Sequence, residues 1–463
     1  MASGHYRPKQ LPLYSVIDNG PPVTIAPQPF APKQRGGGWG GFADSFLRFN
    51  EKAFRALNVK ATAEFDAFGF SLQVQGGDRT GAIPLRSGQT NQVVGGLVVR
   101  PRFGWSGVGL VLAETGWPAL PEFHELPMVP GSGREVPPWV LAGPILFRLQ
   151  ALLSQMHRGY QDKEETLPYP RGRILWHRYI NESLGRGRWE QLPCRFPDLD
   201  KELQLRRYVR WALERLHLDL CRVGQADLIA NTLAQLARRL LATLTDVAPQ
   251  RPDGSNLARM ARAGLANEVI WQGLEALVWI EEKRGLGGGR ELDGVAWSLS
   301  LSQLWETYVE GVMRREAAIN GGEVKVARLG ETTIPLAWSD PMHRSLGHLV
   351  PDIVIRRGRS IQVVDAKYKA HLAELDHIGW RRFTEETRAA HRRDLHQILA
   401  YAALYDAETI TATLVYPLRR PTWERLVAQK RDRAISQLVH GTRRIVLELR
   451  GLPFGMKGVY STP

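Results

Sequence analysis

Three polar side chains in residues 349–370 have the types and spacing needed for metal-assisted hydrolysis. The segment reads LVPDIVIRRGRSIQVVDAKYKA, with Asp352 after a proline and Asp365 two residues before Lys367. Side chains alternate between the two faces of a strand, so Asp365 and Lys367 point the same way if this segment is extended. Two carboxylates and one ammonium on a shared surface suit a divalent cation and an attacking water. The pattern favours a metal-dependent phosphodiesterase site.

A turn signal divides this segment into two apolar runs. The residues RGR at 357–359 separate IVI from SIQVV, which predicts an antiparallel β-hairpin that brings Asp352 near Asp365. Two alternatives stay open. Asp352 could be a simple turn residue after Pro351, and Asp365 and Lys367 could form a salt bridge on an exposed sheet face.

Two predicted helices flank the hairpin. Upstream, SLSQLWETYVEGVMRR is amphipathic and carries Glu306 and, one turn later, Glu310. Downstream, HRRDLHQILAYAALYDA carries Asp394, Gln397 and Tyr401, and the last two share a helix face because they are four residues apart. Glu310 is interpreted as a solvent-facing residue, whereas Asp394 could lie either on the polar face of its helix or near the site.

This order of helix, hairpin and helix resembles the PD-(D/E)xK nuclease superfamily. The motifs WETYV, PDIVI, VVDAKYK and DLHQILAYA look most like those of the McrC family. Members of that family are the nuclease subunits of modification-dependent (5-methylcytosine) restriction systems. The resemblance implies a Mg²⁺-dependent DNA endonuclease subunit of a prokaryotic restriction and antiviral defence complex.

The resemblance also implies a metal site. Asp352 and Asp365 would bind Mg²⁺ or Mn²⁺ directly, with the backbone carbonyl of Ala366 as an additional ligand. Glu306 would position the ion or a bound water. Mg²⁺ takes carboxylate oxygens and keeps several waters, so two or three acids suffice.

The remaining catalytic candidates would act on the water and the phosphate. Lys367 would orient the nucleophilic water and stabilise the developing charge. Gln397 and Tyr401 resemble an auxiliary helix motif that supports the water or the phosphate. Tyr401 could equally be a packing residue.

The charge balance favours a polyanionic partner. The chain has 61 Lys and Arg residues against 47 Asp and Glu, a net charge of +14, and this makes DNA a better substrate than a small phosphoester. The alternative is a solvated basic surface without a partner. The candidate DNA-binding residues near the site are Arg356, Arg357, Arg359, Arg392 and Arg393, although a solvated turn explains the first three adequately.

Arginines and aromatic residues alternate in residues 171–189, RGRILWHRYINESLGRGRW. Such a mixture can stack on bases. The favoured interpretation is a packed interdomain linker in which Trp176 and Trp189 are buried.

The predicted fold class is an α+β multidomain protein in four parts. Residues 1–40 form a Pro/Gly-rich extended arm, and 41–135 form a β-rich N-terminal domain that is the candidate partner-docking region. Residues 136–289 form a mainly helical middle domain, which ends in the flexible joint GLGGG at 285–289. Residues 290–463 form the α/β nuclease domain, which the resemblance identifies as PD-(D/E)xK, restriction-endonuclease-like.

The sequence also indicates a partner and a compartment. No glycine-rich segment has the phosphate-loop pattern, so a separate AAA+ NTPase, implied by the resemblance to be McrB-like, would supply the motor. Two cysteines and no membrane-length apolar stretch predict a cytoplasmic protein without a disulfide-linked partner. Two other functions stay open: an NTPase-activating scaffold with a weak or vestigial nuclease, and a stand-alone nuclease acting on RNA or branched DNA.

Overall fold

The computed structural model describes most of the chain. The described residues are 11–25, 39–66, 69–117, 121–132, 136–156, 159–200, 203–222, 227–262, 268–281, 294–336, 338–339, 346–370, 372, 384–440 and 443–455. They divide into two compact units, one of Met1–Val140 with Arg290–Pro463 and one of Leu141–Gly289. The mixed α/β class with a β-rich N-terminus and a helical middle is confirmed. The four-part domain division stays a prediction.

The N-terminal part of the first unit consists of short strands and two helices. In chain order these are β1 (Leu13–Ile17), β2 (Val23–Ile25), α1 (Trp39–Ala56), β3 (Lys60–Asp66), β4 (Gly69–Gln75), β5 (Arg79–Arg86), β6 (Val93–Arg100), α2 (Gly104–Thr115) and β7 (Glu122–Phe123). Strands β2, β4 and β3 form one sheet, and β1 pairs in parallel with β6. Part of the predicted arm is therefore not a loop, because β1 and β2 lie within it. Residues 1–10 and 26–38 of the arm lie outside the described residues.

The second unit is mainly helical. It contains α3 (Trp139–Gln155, which begins just before the unit), β8 (Gly159–Leu167), β9 (Arg173–Ile174), α4 (Trp176–Arg178), β10 (Leu192–Asp200), α5 (Leu203–Arg222), α6 (Leu228–Ala242), α7 (Gly254–Arg262) and α8 (Glu268–Glu281). The favoured interpretation of residues 171–189 is wrong, because Trp176 is 60% exposed and Trp189 is 69% exposed. The predicted joint at 285–289 lies outside the described residues.

The C-terminal part of the first unit begins with β11 (Trp297–Ser300), which joins the N-terminal sheet. Among the described residues that sheet has the strand order β1-β6-β5-β11-β7. The chain then forms α9 (Leu301–Asn320), β12 (Glu323–Val326), β13 (Ile334–Pro335), β14 (His348–Leu349), β15 (Ile353–Arg357), β16 (Ser360–Ala366), α10 (Glu385–Ala403), β17 (Thr409–Leu418), α11 (Arg420–Ala428), β18 (Arg433–His440) and β19 (Arg443–Pro453).

Six described strands of this part form one sheet in the order β12-β15-β16-β17-β19-β18. β15 and β16 are antiparallel, whereas β16 and β17 are parallel, so the chain must cross over between them, and α10 lies in that connection. Ile398 and Ala402 of α10 pack in one buried cluster with Val363, Ala412 and Leu414 of the sheet. This packing fixes α10 against the strands that carry the predicted site. No helix in the described part of the chain is long and apolar enough to cross a membrane.

Candidate active site

The two aspartates meet at the open end of the β15–β16 hairpin. The register pairs Ile353 with Val364, so Asp352, directly before β15, lies opposite Asp365. The backbone amide of Ala366 donates a hydrogen bond to Asp352 Oδ2 over 2.8 Å. The predicted hairpin is confirmed, and its register brings the two carboxylates together.

Helix α9 carries Glu306 to the same place. The helix begins after Ser300, whose hydroxyl caps the first turn with a hydrogen bond of 3.2 Å. Next to Glu306, the buried Trp305 donates from Nε1 to the carbonyl of Val415 over 3.2 Å. The amide of Lys367 donates to the same carbonyl over 2.9 Å. The Val415 carbonyl thus accepts hydrogen bonds from the residue before Glu306 and from Lys367, and so holds both segments against β17.

The sequence pattern does not predict these contacts of Trp305 and Val415. A large aromatic beside Glu306 on an amphipathic helix is a signal that could have identified Trp305 as an anchor. Val415 contributes only its backbone carbonyl, and a backbone group leaves no trace in the pattern of side chains.

Lys367 is held by groups from a strand and a helix. Its Nζ lies 2.6 Å from Asp365 Oδ2 and donates a hydrogen bond of 3.0 Å to Gln397 Oε1 on α10. Gln397 Nε2 in turn donates to Tyr401 Oη over 3.0 Å. Because Asp365 is only 1% exposed, the interpretation as a salt bridge on an exposed sheet face is wrong. Tyr401 is buried and also hydrogen-bonded, so it both packs and supports Gln397.

Burial and mutual repulsion raise the pKa of all three carboxyl groups in the cluster. Burial raises the pKa of Asp352 well above its ordinary value, and the charges of Asp365 and Glu306 raise it further. Burial also raises the pKa of Asp365, against the lowering effect of Lys367. The Glu306 side chain reaches solvent, yet partial burial and the Asp365 charge still raise its pKa. For Lys367, burial opposes protonation, but the Asp365 and Asp352 charges outweigh it and raise its pKa. Repulsion from the Asp365 charge thus raises the pKa of both Asp352 and Glu306, even though Asp365 is paired with Lys367.

A hard divalent cation would relieve this repulsion. Among the described residues, Asp365 Oδ2 is buried and makes its ion pair without any hydrogen bond of normal geometry, so it keeps lone pairs for a metal. No group of three or more His, Cys, Asp or Glu side chains in the described ranges is arranged so that it could hold a metal ion, so any ion here would depend on one or two carboxylates and on waters. Mg²⁺ commonly takes one or two carboxylates and keeps several waters. The donor set is compatible with Mg²⁺ or Mn²⁺ and not with a closed zinc-type site.

Asp394 of α10 lies next to Lys369, two residues after Lys367. It is buried, and its carboxylate accepts from Lys369 Nζ over 2.6 and 2.8 Å. Its negative charge also contributes to raising the pKa of Asp365. Of the two open interpretations of Asp394, the structure therefore favours a position near the site.

Glu310 does not face solvent as predicted. It is 7% exposed, and it pairs with Arg314 over 2.9 Å and with Arg328 over 3.1 Å. The prediction was based on the α9 helix alone, whereas Arg328 arrives from the segment after β12. Glu310 and Arg328 line a cavity of about 290 Å³ that also borders Glu306 and Asp352.

Three of the five predicted DNA-binding arginines lie far from Asp352 and Asp365. Arg356, Arg357 and Arg359 lie at the turn of the hairpin, roughly 16 Å along the strand from its open end. Arg357 donates to the carbonyl of Gly321 over 2.9 Å, and Arg359 pairs with the exposed Glu408 over 3.1 Å.

The two arginines on α10 lie closer to the site. Arg392 pairs with Glu385 over 2.6 Å. Arg393 is exposed and lies four residues before Gln397, so it shares the helix face that reaches Lys367.

A second acid–x–lysine pattern, which is not among the predicted site residues, lies in the same sheet. Glu323 and Lys325 on β12 have the spacing of Asp365 and Lys367, and their charged atoms are 3.6 Å apart. Both side chains are exposed, at 63% and 50%. We call Asp365 with Lys367 the β16 pair and Glu323 with Lys325 the β12 pair.

Comparison with solved structures finds McrBC assemblies. A chain in the half-complex from the tetradecameric assembly of Thermococcus gammatolerans McrB AAA+ hexamers with bound McrC is 13% identical, with 97% of both chains covered and a TM-score of 0.45. A chain in the cryo-EM structure of the Thermococcus gammatolerans McrBC complex is 12% identical, with 65% of this chain and 87% of that chain covered and a TM-score of 0.30. At these values the likeness does not by itself establish a shared fold.

Sequence families give a firmer result. No curated protein matches the chain significantly. The family model described as McrBC 5-methylcytosine restriction system component matches residues 144–417, which is more than half of the 463 residues and includes all the predicted catalytic residues. The family resemblance read from the motifs is confirmed: the chain belongs to the family of McrBC 5-methylcytosine restriction system components.

Proposed function

We propose that this chain is the Mg²⁺-dependent DNA endonuclease subunit of a restriction complex. The observation that carries the proposal is the cluster at the open end of the β15–β16 hairpin. There, three carboxylates with raised pKa values surround Lys367, whose ammonium is fixed by Asp365 and Gln397. The strand order of the surrounding sheet, an antiparallel hairpin followed by parallel strands, supports a PD-(D/E)xK fold for this part.

Asp352 and Asp365 would hold the metal ion, with the carbonyl of Ala366 as a further donor. Glu306 reaches solvent at the mouth of the cluster, so it would hold a metal-bound water. When bound, the ion would lower the pKa of a water and neutralise charge on the scissile phosphate. The hydrogen bond from Ala366 to Asp352 keeps that carboxylate in place before the ion arrives.

Lys367 would orient the attacking water and stabilise the charge that develops on the phosphate. The Asp365 and Asp352 charges raise its pKa and so favour the protonated form, in which Lys367 would act as a hydrogen-bond donor. Gln397 removes much of the rotational freedom of the ammonium, and Tyr401 does the same for Gln397. A donor fixed before reaction loses little free energy to reorientation when charge develops.

DNA as the substrate follows from charge and family. The net charge of +14 favours a polyanion, and the exposed Arg393 lies one helical turn from Gln397. In the Thermococcus gammatolerans assembly, McrC is bound to McrB AAA+ hexamers. By family membership we propose an AAA+ NTPase of that kind as the partner of this chain. The β-rich N-terminal region stays our candidate for the docking surface.

The decisive experiment compares two isosteric substitutions with the AAA+ partner, an NTP and methylated DNA present. Asp365→Asn should lower the cleavage rate by about 10³-fold, because it removes a metal ligand and the ion pair of Lys367. Glu323→Gln, the matched change in the β12 pair, should leave the rate unchanged. Stimulation of the partner's NTPase should be the same in both variants.

Three outcomes would contradict the proposal. If Asp365→Asn cleaves DNA as fast as the wild type, the cluster is not the nuclease site. If the wild type stimulates the NTPase but cleaves nothing with Mg²⁺ or Mn²⁺, the chain is a scaffold with a vestigial nuclease. Cleavage without partner or NTP would instead favour a stand-alone nuclease.

A further inference from the structure

Four aromatic rings pack together between the N-terminal sheet and the two segments that carry Glu306 and Lys367. The stacked rings of Phe103 and Phe454 have centroids 4.6 Å apart. Tyr368 lies 6.0 Å from Phe103, and Trp305 lies 5.8 Å from Phe454. Trp305 directly precedes Glu306, and Tyr368 directly follows Lys367. A residue from between β6 and α2 is therefore part of the packing that holds two proposed catalytic residues.

A buried cation from the same N-terminal segment covers Tyr368. The Arg102 guanidinium lies 4.4 Å from the centroid of the Tyr368 ring and 4.9 Å from that of Phe103. Its side chain is 10% exposed, and its Nε lies 3.6 Å from the fully buried Asp18 at the end of β1. The backbone amide of Arg102 also donates to Asp18 Oδ1. Residues that follow the adjacent parallel strands β1 and β6 thus meet next to Tyr368, the residue after Lys367.

The start of α9 is held by the same sheet. The amide of Leu301 donates to the carbonyl of Asp78 over 2.9 Å, and Ser302 Oγ donates to Asp78 Oδ2 over 2.6 Å. Further along, Arg315 of α9 pairs with Glu114 of α2 over 2.6 Å. Both elements that carry catalytic side chains, α9 and the chain after β16, are therefore placed by contacts from the first 115 residues.

We infer that Arg102 and Phe103 are positioning residues for DNA cleavage. They fix the Tyr368 ring, and the ring fixes the backbone that presents Lys367 to Asp365 and Gln397. The inference rests on the proposed function of the β16 pair. It gives the N-terminal region a role within the nuclease itself, beside any role in docking. A displacement of about 1 Å at a catalytic group can cost up to about 100-fold in rate, so loss of this support should be visible in kcat.

The test measures kcat, KM for DNA and the thermal midpoint of the full chain with its partner present. Arg102→Ala should lower kcat by about 10- to 100-fold, with KM for DNA nearly unchanged, because Arg102 does not touch substrate. Arg102→Lys keeps a cation over Tyr368 and should restore most of the rate. The matched control is Arg86→Ala in the same sheet, since the Arg86 side chain contacts Asn91 in the β5–β6 turn at 3.3 Å.

Arg102→Ala leaves Asp18 buried without its cation and so can unfold the chain. The double variant Asp18→Asn with Arg102→Met removes both charges at nearly constant shape, which is close to neutral for stability. It should keep the wild-type thermal midpoint and still show the loss in kcat. A wild-type kcat in this variant overturns the inference. So does unfolding of both variants while Arg86→Ala stays folded, because the cluster is then only structural. A wild type that cuts nothing contradicts the proposed function instead.

Discussion

The β16 pair and the β12 pair have the same spacing, lie in the same sheet and differ in nearly everything else. Asp365 is 1% exposed and Lys367 is 17% exposed, whereas Glu323 and Lys325 are 63% and 50% exposed. Lys367 has its ammonium 2.6 Å from its acid and a second partner in Gln397; in the β12 pair the ammonium and carboxylate are 3.6 Å apart. An acid two residues before a lysine is thus not a site in itself. The β16 pair is our proposed site because it is buried and because Asp352 and Glu306 lie near it.

Position in the sheet explains the difference. β16 is an inner strand, paired on one side with β15 and on the other with β17, and α10 packs over the face that carries Val363, Asp365 and Lys367. β12 is an edge strand, where exposed charged residues discourage pairing with other chains. The same residue types are therefore buried beside a helix in one strand and exposed along an edge in the other.

The largest expected effect separates the two lysines. Lys367→Ala should lower the rate of DNA cleavage by about 10³-fold, because the water and phosphate lose a fixed cationic donor. Lys325→Ala should leave the rate unchanged. Single-turnover cleavage with saturating partner measures both. Equal losses in the two variants would remove the distinction between the pairs.

The next largest effect should be a difference between Asp352 and Glu323 in the stabilisation of the chain by Mg²⁺. At a hundredfold excess over its Kd, Mg²⁺ should stabilise the wild type by about 2.7 kcal/mol, measured from the thermal midpoint. Asp352→Asn should abolish most of this stabilisation, whereas Glu323→Gln should not affect it. Without metal, Asp352→Asn should be at least as stable as the wild type, since it replaces a buried carboxyl group whose ionised form is disfavoured by burial and by the Asp365 charge. A Mg²⁺ response that survives Asp352→Asn would place the ion elsewhere.

A third prediction concerns the support that only the β16 pair has. Gln397→Leu keeps the size of the side chain but removes the acceptor of Lys367, so cleavage should fall by about tenfold. Tyr401→Phe removes one hydrogen bond to Gln397 and should cost only a few-fold. Rates under identical conditions rank the two. A larger loss in Tyr401→Phe would mean that the hydroxyl acts on substrate directly.

The smallest effect belongs to the β12 pair. Lys325→Ala, the β12 variant used above, should change the free energy of unfolding by no more than about 0.5 kcal/mol, as is usual for exposed pairs. Urea unfolding at two salt concentrations checks this. A loss well above that value would show that the edge strand depends on its charges for folding.

The sequence pattern correctly predicted the hairpin and the helix that carry the proposed site residues. The turn at 357–359 and the helical spacing of Gln397 and Tyr401 are short-range signals, and the structure follows them. Glu310 was misjudged because Arg328 covers it from a remote segment. Trp176 and Trp189 were expected to be buried because they are large and apolar, but their segment exposes them.

The groups that support the proposed site, such as the Val415 carbonyl and Arg102, cannot be recognised from the sequence around them. The Val415 carbonyl serves both Trp305 and Lys367, and any residue type could supply it. Arg102 lies far from Tyr368 in the chain, so only the folded topology reveals their contact. The proposed catalytic side chains were therefore easier to predict from the sequence than the residues that contact and support them.

The order of the aromatic cluster along the chain has a consequence for biosynthesis. During translation, Phe103, Trp305 and Tyr368 leave the ribosome in that sequence, and Phe454 follows only after Gln397 and the strands β17 to β19. A nascent chain that already carries every proposed catalytic residue still lacks the ring that stacks on Phe103 and Trp305. Packing around the proposed catalytic cluster can therefore be completed only after all of its polar side chains have been synthesised.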